Sequence, residues 1–333
     1  MKTNDSAKWD RRRFLKTGAG ALFLVAGAGL GPVLFRNRRV YSMSKSLMGT
    51  IGEIQVVHDD EFLALRAIEM AFEELNRIEK QLTYFSDDSE IGRINRFGAS
   101  QDINLSRETA ELIARALQWS HATRGCFEPG LGKVSALWDV KHRSEPPQEE
   151  QWIRLAGRHF SKKISLTQNE KFSTIRLLTE DVKIDLGGIG KGYAADRAMD
   201  ILKEEGIDQA LVNLGGDIVA LGGKSESDGW RVGVKNPEAP HDIIEVLTLR
   251  NQAVATSGTY EQYFLSKGHV YHHLIDPKLA MPGNSTFESL TVIGNNCRDA
   301  DALATGLFFV SDAEKKQILE DHTEGFEFMR FGA

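Results

Sequence analysis

The chain has 333 residues, of which 41% are hydrophobic and 26% charged, and its formal net charge is −6. This composition excludes a disordered or fibrous chain and is sufficient for a large buried core, in one domain or two. The first 39 residues carry nine Lys/Arg against two Asp, and the remainder carries 32 basic against 45 acidic residues. An acidic body argues against nucleic-acid binding, because phosphate contacts need clustered Lys and Arg.

The N-terminal segment predicts export. Residues 11–16 (RRRFLK) are followed by nineteen residues without a charge, rich in Gly and Ala. This pattern resembles a twin-arginine leader, with Asp10 where Ser or Thr is usual. An ordinary secretory signal and an uncleaved anchor are the alternatives, since about nineteen apolar residues can nearly span a bilayer. We therefore expect residues 1–39 to be the leader or anchor of a periplasmic protein, released or held at the inner membrane. Membrane contact is expected only through this segment, if it is uncleaved.

The cysteines do not predict a metal site. Cys126 and Cys297 are the only two in the chain, and neither a CxxC motif nor the Cys/His spacing of a zinc site is present in the sequence. A disulfide is conceivable in an oxidising compartment, but two separate buried thiols are the simpler prediction.

Hydrophobic periodicity predicts groups of strands separated by helices. Apolar residues recur at helical spacing over 61–82 and again over 106–123, with Ser106 as the entry residue of the second helix. Further helices are predicted over 148–156, 193–205, 299–309 and 312–321, and strands over 50–57, 162–167, 173–178, 182–186, 209–214, 217–222, 229–235, 243–250, 269–275 and 286–293. Strands in adjacent groups favour an α+β fold over a doubly wound parallel sheet.

A glycine-rich segment, residues 185–193 (DLGGIGKGY), lies between a predicted strand and a predicted helix. Its glycines allow close backbone approach to a ligand, amides at the helix start attract phosphate, and Lys191 adds a positive charge. A Walker loop is excluded, because Gly192 stands where Ser or Thr must bind magnesium, and Tyr193 breaks the dinucleotide motif. Taken alone, the segment is equally well explained as a tight strand-to-helix turn.

The last third of the chain contains a candidate metal site. Asp301 and Thr305 are four residues apart in a predicted helix and therefore share one face, with the carbonyl of Ala304 nearby. Carboxylate, hydroxyl and carbonyl oxygens are the ligands that Mg²⁺ prefers. The pattern favours a helix-capping role for Asp299 and a turn role for Asp217 over direct chemistry.

Two adjacent imidazoles provide a candidate base. His272 and His273 come at a predicted strand end and are followed by Asp276. Successive residues of a strand point to opposite faces, so only one of the two histidines is expected to reach a given site. The pattern alone does not say which of the two it is, and a single histidine is more often a structural hydrogen-bonding residue than a base.

Eight segments occur in a fixed order that resembles one family. They are 46–50 (SLMGT), 88–91 (DSEI), 185–193, 211–217 (LVNLGGD), 230–234 (WRVGV), 256–258 (TSG), 273–277 (HLIDP) and 300–306 (ADALATG). Together they resemble the ApbE family of FAD:protein FMN transferases across residues 41–333. The resemblance implies an α+β fold with a mixed, largely antiparallel β-sheet flanked by helices, in a single large domain or two lobes. It also implies a periplasmic or membrane-facing location.

The resemblance implies the site residues. The positions that match FAD contacts are Met48, Phe85, Cys126, Phe127, Glu128, Asp185, Lys191 and Ile275. The positions that match Mg²⁺ ligands are the side chains of Asp301 and Thr305 and the carbonyls of Gly188 and Ala304. His273 matches the family's base, and Asp276 is then the carboxylate expected to orient its ring. Phe85 replaces the usual Tyr or Trp, so stacking on the flavin is retained without the hydroxyl. Glu128 replaces the frequent Asp.

The implied reaction is Mg²⁺-dependent transfer of FMN from FAD to a Thr or Ser hydroxyl of an acceptor protein, with release of AMP. The implied acceptors are exported FMN-binding domains, such as those of Na⁺-pumping quinone reductases, Rnf complexes or extracellular reductases. Two alternatives stay open from the sequence: a Mg²⁺-dependent FAD pyrophosphatase, and a flavin-binding protein without turnover.

Overall fold

The computed structural model describes residues 38–225, 228–239 and 241–332. The strands are β1 (Arg39–Leu47), β2 (Thr50–His58), β3 (Ile103–Leu105), β4 (Ile164–Gln168), β5 (Ser173–Leu177), β6 (Ala210–Leu214), β7 (Asp217–Leu221), β8 (Trp230–Lys235), β9 (Ile243–Leu249), β10 (Gln252–Gly258), β11 (Tyr263–Ser266), β12 (His269–His272), β13 (Ile275–Asp276), β14 (Met281–Pro282), β15 (Ser289–Gly294) and β16 (Glu327–Phe331). The helices are α1 (Glu61–Leu82), α2 (Glu90–Phe97), α3 (Arg107–Ala122), α4 (Gly132–Trp138), α5 (Glu149–Ile153), α6 (Gly190–Glu204), α7 (Cys297–Gly306) and α8 (Asp312–His322), with a short 3-10 helix at Ser161–Lys163.

A seven-stranded sheet organises the molecule in the order β1-β2-β6-β7-β10-β15-β16, and every neighbouring pair is antiparallel. A second sheet has the order β3-β5-β4, and β8–β9, β11–β12 and β13–β14 form separate two-stranded ribbons. The expected α+β fold with a largely antiparallel sheet is therefore confirmed.

The main sheet is covered on both faces, because its strands alternate apolar side chains between two cores. In β6, Val212 and Leu214 belong to the larger core with the helices, and Leu211 belongs to a smaller core with the β8–β9 ribbon. Trp230 is buried in that smaller core, where its indole Nε1 donates to the Leu221 carbonyl at 3.1 Å. The result is a helix layer, a sheet and a ribbon layer.

Local signals start the helices where the periodicity predicts. Asp60 precedes α1 and its side chain accepts from the Leu63 amide, and Ser106 does the same for α3 with the Thr109 amide. Both helices bury one apolar stripe against the larger core. The predicted helices and strands over 50–57, 61–82, 106–123, 209–214 and 312–321 are thus present within about two residues.

Some expectations are wrong. The segment 182–186 is not a strand. Lys183 instead forms an isolated parallel bridge with Leu131, in which the Lys183 amide donates to the Gly130 carbonyl at 3.4 Å and the Gly132 amide donates to the Lys183 carbonyl at 2.9 Å. Helix α6 begins at Gly190, three residues before the predicted start, so the glycine-rich segment supplies its first turn. Asp299 does not cap α7, because Asn296 is the capping residue and accepts from the Asp299 amide. The two cysteines are separate and buried, as predicted.

The predicted leader lies outside the described residues except for its last two positions. Arg38 donates to Asp208 and Gln209, and Arg39 is the first residue of β1. Within the part of the chain that is described, no helix has the length and apolarity to span a bilayer.

Candidate active site

The first turn of α6, the start of β7 and the middle of α7 place three charged groups together. Lys191 Nζ forms an ion pair with the Asp217 carboxylate and lies 3.9 Å from Asp301 Oδ1. Both carboxylates are buried, whereas the lysine is partly exposed. Burial opposes the charge of Lys191, but Asp217 and Asp301 outweigh it and raise the pKa of the ammonium, so the lysine is cationic.

Close helix packing brings the Asp301 side chain to the glycine-rich segment. A Cβ at Gly192 would overlap the Cys297 carbonyl oxygen, so only glycine lets α6 approach α7 at this point. The Gly192 amide donates to Asp301 Oδ2 at 3.0 Å. Burial, and then the nearby Asp217 carboxylate, raise the pKa of Asp301, which marks a place where a further cation would be stabilised.

The remaining predicted metal ligands lie at the same place. A Cβ at Gly188 would be 3.0 Å from Thr305 Oγ1, so the Gly188 backbone packs directly on that hydroxyl. Ala304 is in the last turn of α7, where helix carbonyls have no partner within the helix. Among the described residues no group of three or more His, Cys, Asp and Glu is placed to hold a metal. An oxygen-only set with one carboxylate fits Mg²⁺, which keeps water and substrate oxygens as its other ligands.

The loop between α3 and α4 forms the neighbouring wall. Phe127 Cε2 would lie 3.3 Å from a Cβ at Gly188, so its ring packs against the backbone of the predicted metal site. The Thr123 hydroxyl accepts from the Phe127 amide at 2.9 Å and holds it there. Glu128 is buried and accepts from the Gly130 amide at 3.1 Å, and burial raises the pKa of its carboxyl. Burial also raises the pKa of the Cys126 thiol.

An exposed aromatic ring, that of Phe85, lies next to Tyr84. Phe85 is 93% exposed and meets Tyr84 edge-on, with ring centroids 5.7 Å apart. Tyr84 is held by a hydrogen bond from its hydroxyl to the Gly132 carbonyl, at 3.2 Å. Burial and the charge of Asp185 raise the pKa of Tyr84, which places that carboxylate close to the aromatic pair. The free Phe85 face is available for stacking on a flat ligand.

Met48 lies in the β1–β2 turn with a φ of 48°, and its amide donates to Glu79 Oε1 at 2.7 Å. The next turn of the sheet, at Gly215, is alongside: the Gly215 amide donates to the Ile51 carbonyl at 3.2 Å. Gly215 has a φ of 66° and no room for a Cβ beside Thr50. The two turns therefore form one edge of the sheet, next to the start of β7 at Asp217.

The two histidines differ in their surroundings, as predicted. His272 ends β12 and is buried, and its Nδ1 has no hydrogen-bond partner among the described residues. His273 follows the strand and is partly exposed, with its Nδ1 3.4 Å from the Gln262 carbonyl oxygen. Desolvation, followed by the effect of His272, lowers the pKa of His273 to about 4, and the charge of Lys191 acts in the same direction.

Asp276 does not contact the His273 ring in the way that the sequence suggests. Its Oδ1 accepts from the Lys278 amide at 2.8 Å in the turn between β13 and β14. The oxygen next to the His273 ring is the Gln262 carbonyl. Ile275 is the first residue of β13, two positions after His273. The catalytic role of Asp276 and the flavin contact of Ile275 stay predictions.

The model of one protein family, described as the ApbE family, matches residues 48–329. The chain belongs to the ApbE family. A FAD:protein FMN transferase of Klebsiella pneumoniae strain 342 is 33% identical over 275 residues, 82% of this chain and 83% of that protein. A FAD:protein FMN transferase of Treponema pallidum strain Nichols is 29% identical over 297 residues, 85% of this chain and 82% of that protein.

Solved ApbE structures share the fold. The crystal structure of the ApbE protein of Thermotoga maritima MSB8 has a TM-score of 0.75 and 29% identity, covering 88% of this chain and 97% of that one. The flavin transferase ApbE of Vibrio cholerae has a TM-score of 0.74 at 23% identity, with 88% and 97% covered, and supports the fold alone.

In this ApbE chain, sequence patterns miss two residues of the candidate site. Asp217 is favoured by the pattern as a turn residue, but Asn213 is the side chain that accepts from the Gly216 amide, at 2.9 Å, and Asp217 is the buried partner of Lys191. Ser257, at the end of β10, lies 3.3 Å from Thr305 Oγ1 through its hydroxyl. The sequence signal for Asp217 is an aspartate that immediately follows a two-glycine turn and begins an apolar strand.

Proposed function

We propose that this protein is a FAD:protein FMN transferase that attaches the FMN moiety of FAD to a Thr or Ser hydroxyl of an acceptor protein. Membership of the ApbE family and several relatives named FAD:protein FMN transferase support FMN transfer from FAD. The observation that carries the proposal is the convergence of Asp301 and Thr305 on the glycine-rich segment that contains Lys191. Thr305 packs on Gly188, and Asp301 accepts from the Gly192 amide and lies 3.9 Å from Lys191 Nζ. A cation beside an oxygen-ligand site suits a substrate with a pyrophosphate.

Mg²⁺ is the metal that the donor set fits. Asp301 and Thr305 would hold it by side chain, with the carbonyls of Gly188 and Ala304 as the backbone ligands. When bound, the ion supplies charge neutralisation to the oxygens of the phosphate that is transferred. Lys191 is kept cationic by its two carboxylate neighbours and adds a second positive charge to the same region. Phe85 would provide the apolar face on which the isoalloxazine ring stacks, whereas the buried Phe127 ring supports the Gly188 backbone from inside.

His273 is proposed as the base. Its neutral ring would accept the proton from the acceptor hydroxyl at the ring nitrogen that does not face the Gln262 carbonyl, namely Nε2. The hydroxyl oxygen then forms a bond with the phosphorus of the FMN portion. The bond between the two phosphates breaks, and AMP leaves with the electron pair. The product is a phosphoester between FMN and the acceptor.

We propose a periplasmic location and an exported acceptor. The support for export is the arginine-rich start and the uncharged segment 17–35 of the sequence. Acceptors of matching location are FMN-binding domains of Na⁺-pumping quinone reductases, Rnf-type complexes or extracellular reductases.

Mass spectrometry tests the proposed function. The full-length protein is incubated with FAD, Mg²⁺ and a candidate acceptor domain, with EDTA in a parallel sample. The expected result is a gain of acceptor mass equal to FMN minus water, which EDTA prevents. Free FMN and AMP without an adduct would show a pyrophosphatase instead, and bound FAD without turnover would show a flavin-binding protein.

A further inference from the structure

A cavity of about 430 Å³ opens between the segments 158–163 and 179–182. Phe160 and Val182 close its base and are themselves buried in the core. Its rim carries Arg158, Lys162 and Lys163, all exposed. The volume lies in the range of cavities that bind a small ligand or several side chains of a partner.

The rim has the opposite charge to the body of the protein. Residues 154–163 contain four Lys/Arg and no Asp or Glu, whereas residues 40–333 as a whole carry 45 acidic against 32 basic residues. A local positive patch on an acidic body attracts an acidic partner to one place and repels it elsewhere.

The one carboxylate of the cavity is already neutralised. Asp181 accepts from Lys133 Nζ at 2.8 Å and also forms an ion pair with Arg158. Among the described residues, no carboxylate lies within 4 Å of the ammonium groups of Lys162 and Lys163. The rim therefore keeps a net positive charge towards solvent.

The cavity wall is continuous with the candidate active site. The Gly157 amide donates to the Lys278 carbonyl at 2.8 Å, two residues after Asp276. Phe160 packs on the backbone of Gly130, because a Cβ added at Gly130 would lie only 2.6 Å from the Cβ of Phe160. The Gly130 amide in turn donates to Glu128. A chain held in the cavity therefore passes close to the turn that follows His273.

We propose that this cationic cavity docks an acidic segment of the acceptor protein. The inference rests on the proposed function, because a protein substrate needs a docking surface beyond the flavin site. Carboxylates of the segment would pair with Lys162 and Lys163. An extended chain with several carboxylates can pair with both lysines at once, so an acidic peptide fits this rim better than a single free phosphate.

Peptide binding tests the docking surface directly. The probe is a fluorescein-labelled octapeptide that alternates Glu and Leu, and its anisotropy is followed with the full-length protein. The double variant Lys162→Glu/Lys163→Glu should raise the dissociation constant roughly tenfold, and wild-type binding should weaken between about 50 and 300 mM salt. The matched control is Lys203→Glu/Lys316→Glu, which changes the same net charge on exposed positions of α6 and α8. Equal losses in both double variants, or unchanged binding in both, would overturn the proposal.

Transfer kinetics distinguish the docking surface from the proposed function. For Lys162→Glu/Lys163→Glu, the KM for the acceptor should rise roughly tenfold while kcat and the KM for FAD stay unchanged. A higher KM for FAD, or an unchanged KM for the acceptor, would show that the cavity does not serve the acceptor. Absence of FMN transfer by the wild type, with charge-dependent peptide binding intact, would remove the proposed function and leave the acidic-peptide site supported.

Discussion

His273 shows how much one side chain depends on its surroundings. A free imidazole has a pKa near about 6.5. Packing lowers the pKa of His273 to about 4, so the ring is neutral and able to accept a proton throughout the neutral range.

The pH dependence of transfer follows from this shift. Because the imidazole gains its proton only as the pH falls through about 4, kcat for transfer should stay level from about pH 5 upwards and decline below. Transfer to a pre-saturated acceptor, measured from about pH 4 to 8, checks this. An acid limb centred near about 6.5 would mean that the base is a solvated imidazole or another group.

Replacement of each histidine in turn distinguishes the proposed general base, His273, from a buried residue that supports the fold, His272. His273→Asn should lower kcat by roughly 10²–10⁴-fold, a typical size for loss of a general base, and leave FAD binding unchanged. His272→Asn should chiefly reduce stability, because the ring is buried. Single-turnover assays and FAD titrations measure the two effects. Greater sensitivity of kcat at His272, or loss of FAD binding in His273→Asn, would contradict the assignment.

Asp301 tests the metal site. Asp301→Asn should lower Mg²⁺-dependent transfer by at least about 100-fold, because the anionic ligand is lost, while Tm should change little, because Lys191 keeps its ion pair with Asp217. The asparagine carbonyl can still accept from the Gly192 amide. The control is Asp200→Asn, an exposed carboxylate of α6 that pairs with Arg197. Full activity of Asp301→Asn would exclude this aspartate as a ligand.

At the scale of elements, the contact between α6 and α7 positions the site. Asp301 is on α7, Lys191 and Gly192 are on α6, and the glycine allows the two helices to approach until amide and carboxylate meet. The sheet contributes the third group, because Asp217 starts β7 directly after the two-glycine turn.

Two glycine replacements in α6 should differ in their effect on the free energy of unfolding. Gly192→Ala should destabilise the protein by roughly 1–3 kcal/mol, because the added methyl group overlaps the Cys297 carbonyl and forces the helices apart. Gly190→Ala meets only ordinary contact with Leu186, so it should be neutral or stabilising by up to about 1 kcal/mol. Urea denaturation midpoints compare the two. Equal midpoints would show that the close approach does not limit the packing.

On the scale of the whole molecule, the main sheet separates two cores of unequal size. The larger core lies under the helices that carry the site, and the smaller one holds the β8–β9 ribbon on the opposite face. Truncation of a large side chain in the smaller core should therefore reduce stability without touching the catalytic groups.

Trp230 is the test of that separation. Trp230→Ala should cost roughly 3–5 kcal/mol in the free energy of unfolding, because a fully buried indole is removed. Trp230→Phe should cost less, since most of the cavity stays filled. Equilibrium denaturation gives the free energies, and FAD binding below the transition should be unchanged. A loss under about 1 kcal/mol for the alanine variant would show that the ribbon contributes little to the stability.

The N-terminal segment has its own test. Arg11→Lys/Arg12→Lys should stop delivery to the periplasm if the twin-arginine pathway reads the guanidinium pair. Fractionation of cells that produce the full-length chain measures this, and a variant with Lys8→Arg is the matched control outside the pair. Undiminished export would indicate a general secretory signal or an anchor.

Local and periodic features of the fold can be predicted from the amino-acid sequence. The spacing of apolar residues over 61–82 and 106–123 locates α1 and α3, since 3.6-residue periodicity and a capping serine are properties of adjacent residues. The strand prediction over 182–186 is wrong, because a short apolar run cannot show whether a partner strand lies beside it. Strands such as β10 and β16 are missed because they are defined by pairing with strands that are distant in the sequence.

The family, the α+β class, the i, i+4 pair of Asp301 and Thr305 and the glycine-rich entry to α6 can all be predicted from the amino-acid sequence. The pairing of Asp217 with Lys191, and the position of Gln262 rather than Asp276 at the His273 ring, become visible once the chain is folded. The reason is physical: periodicity and turn chemistry act between near neighbours in the chain. Ion pairs and desolvation act between groups that only the packing of sheet and helices brings within a few ångströms.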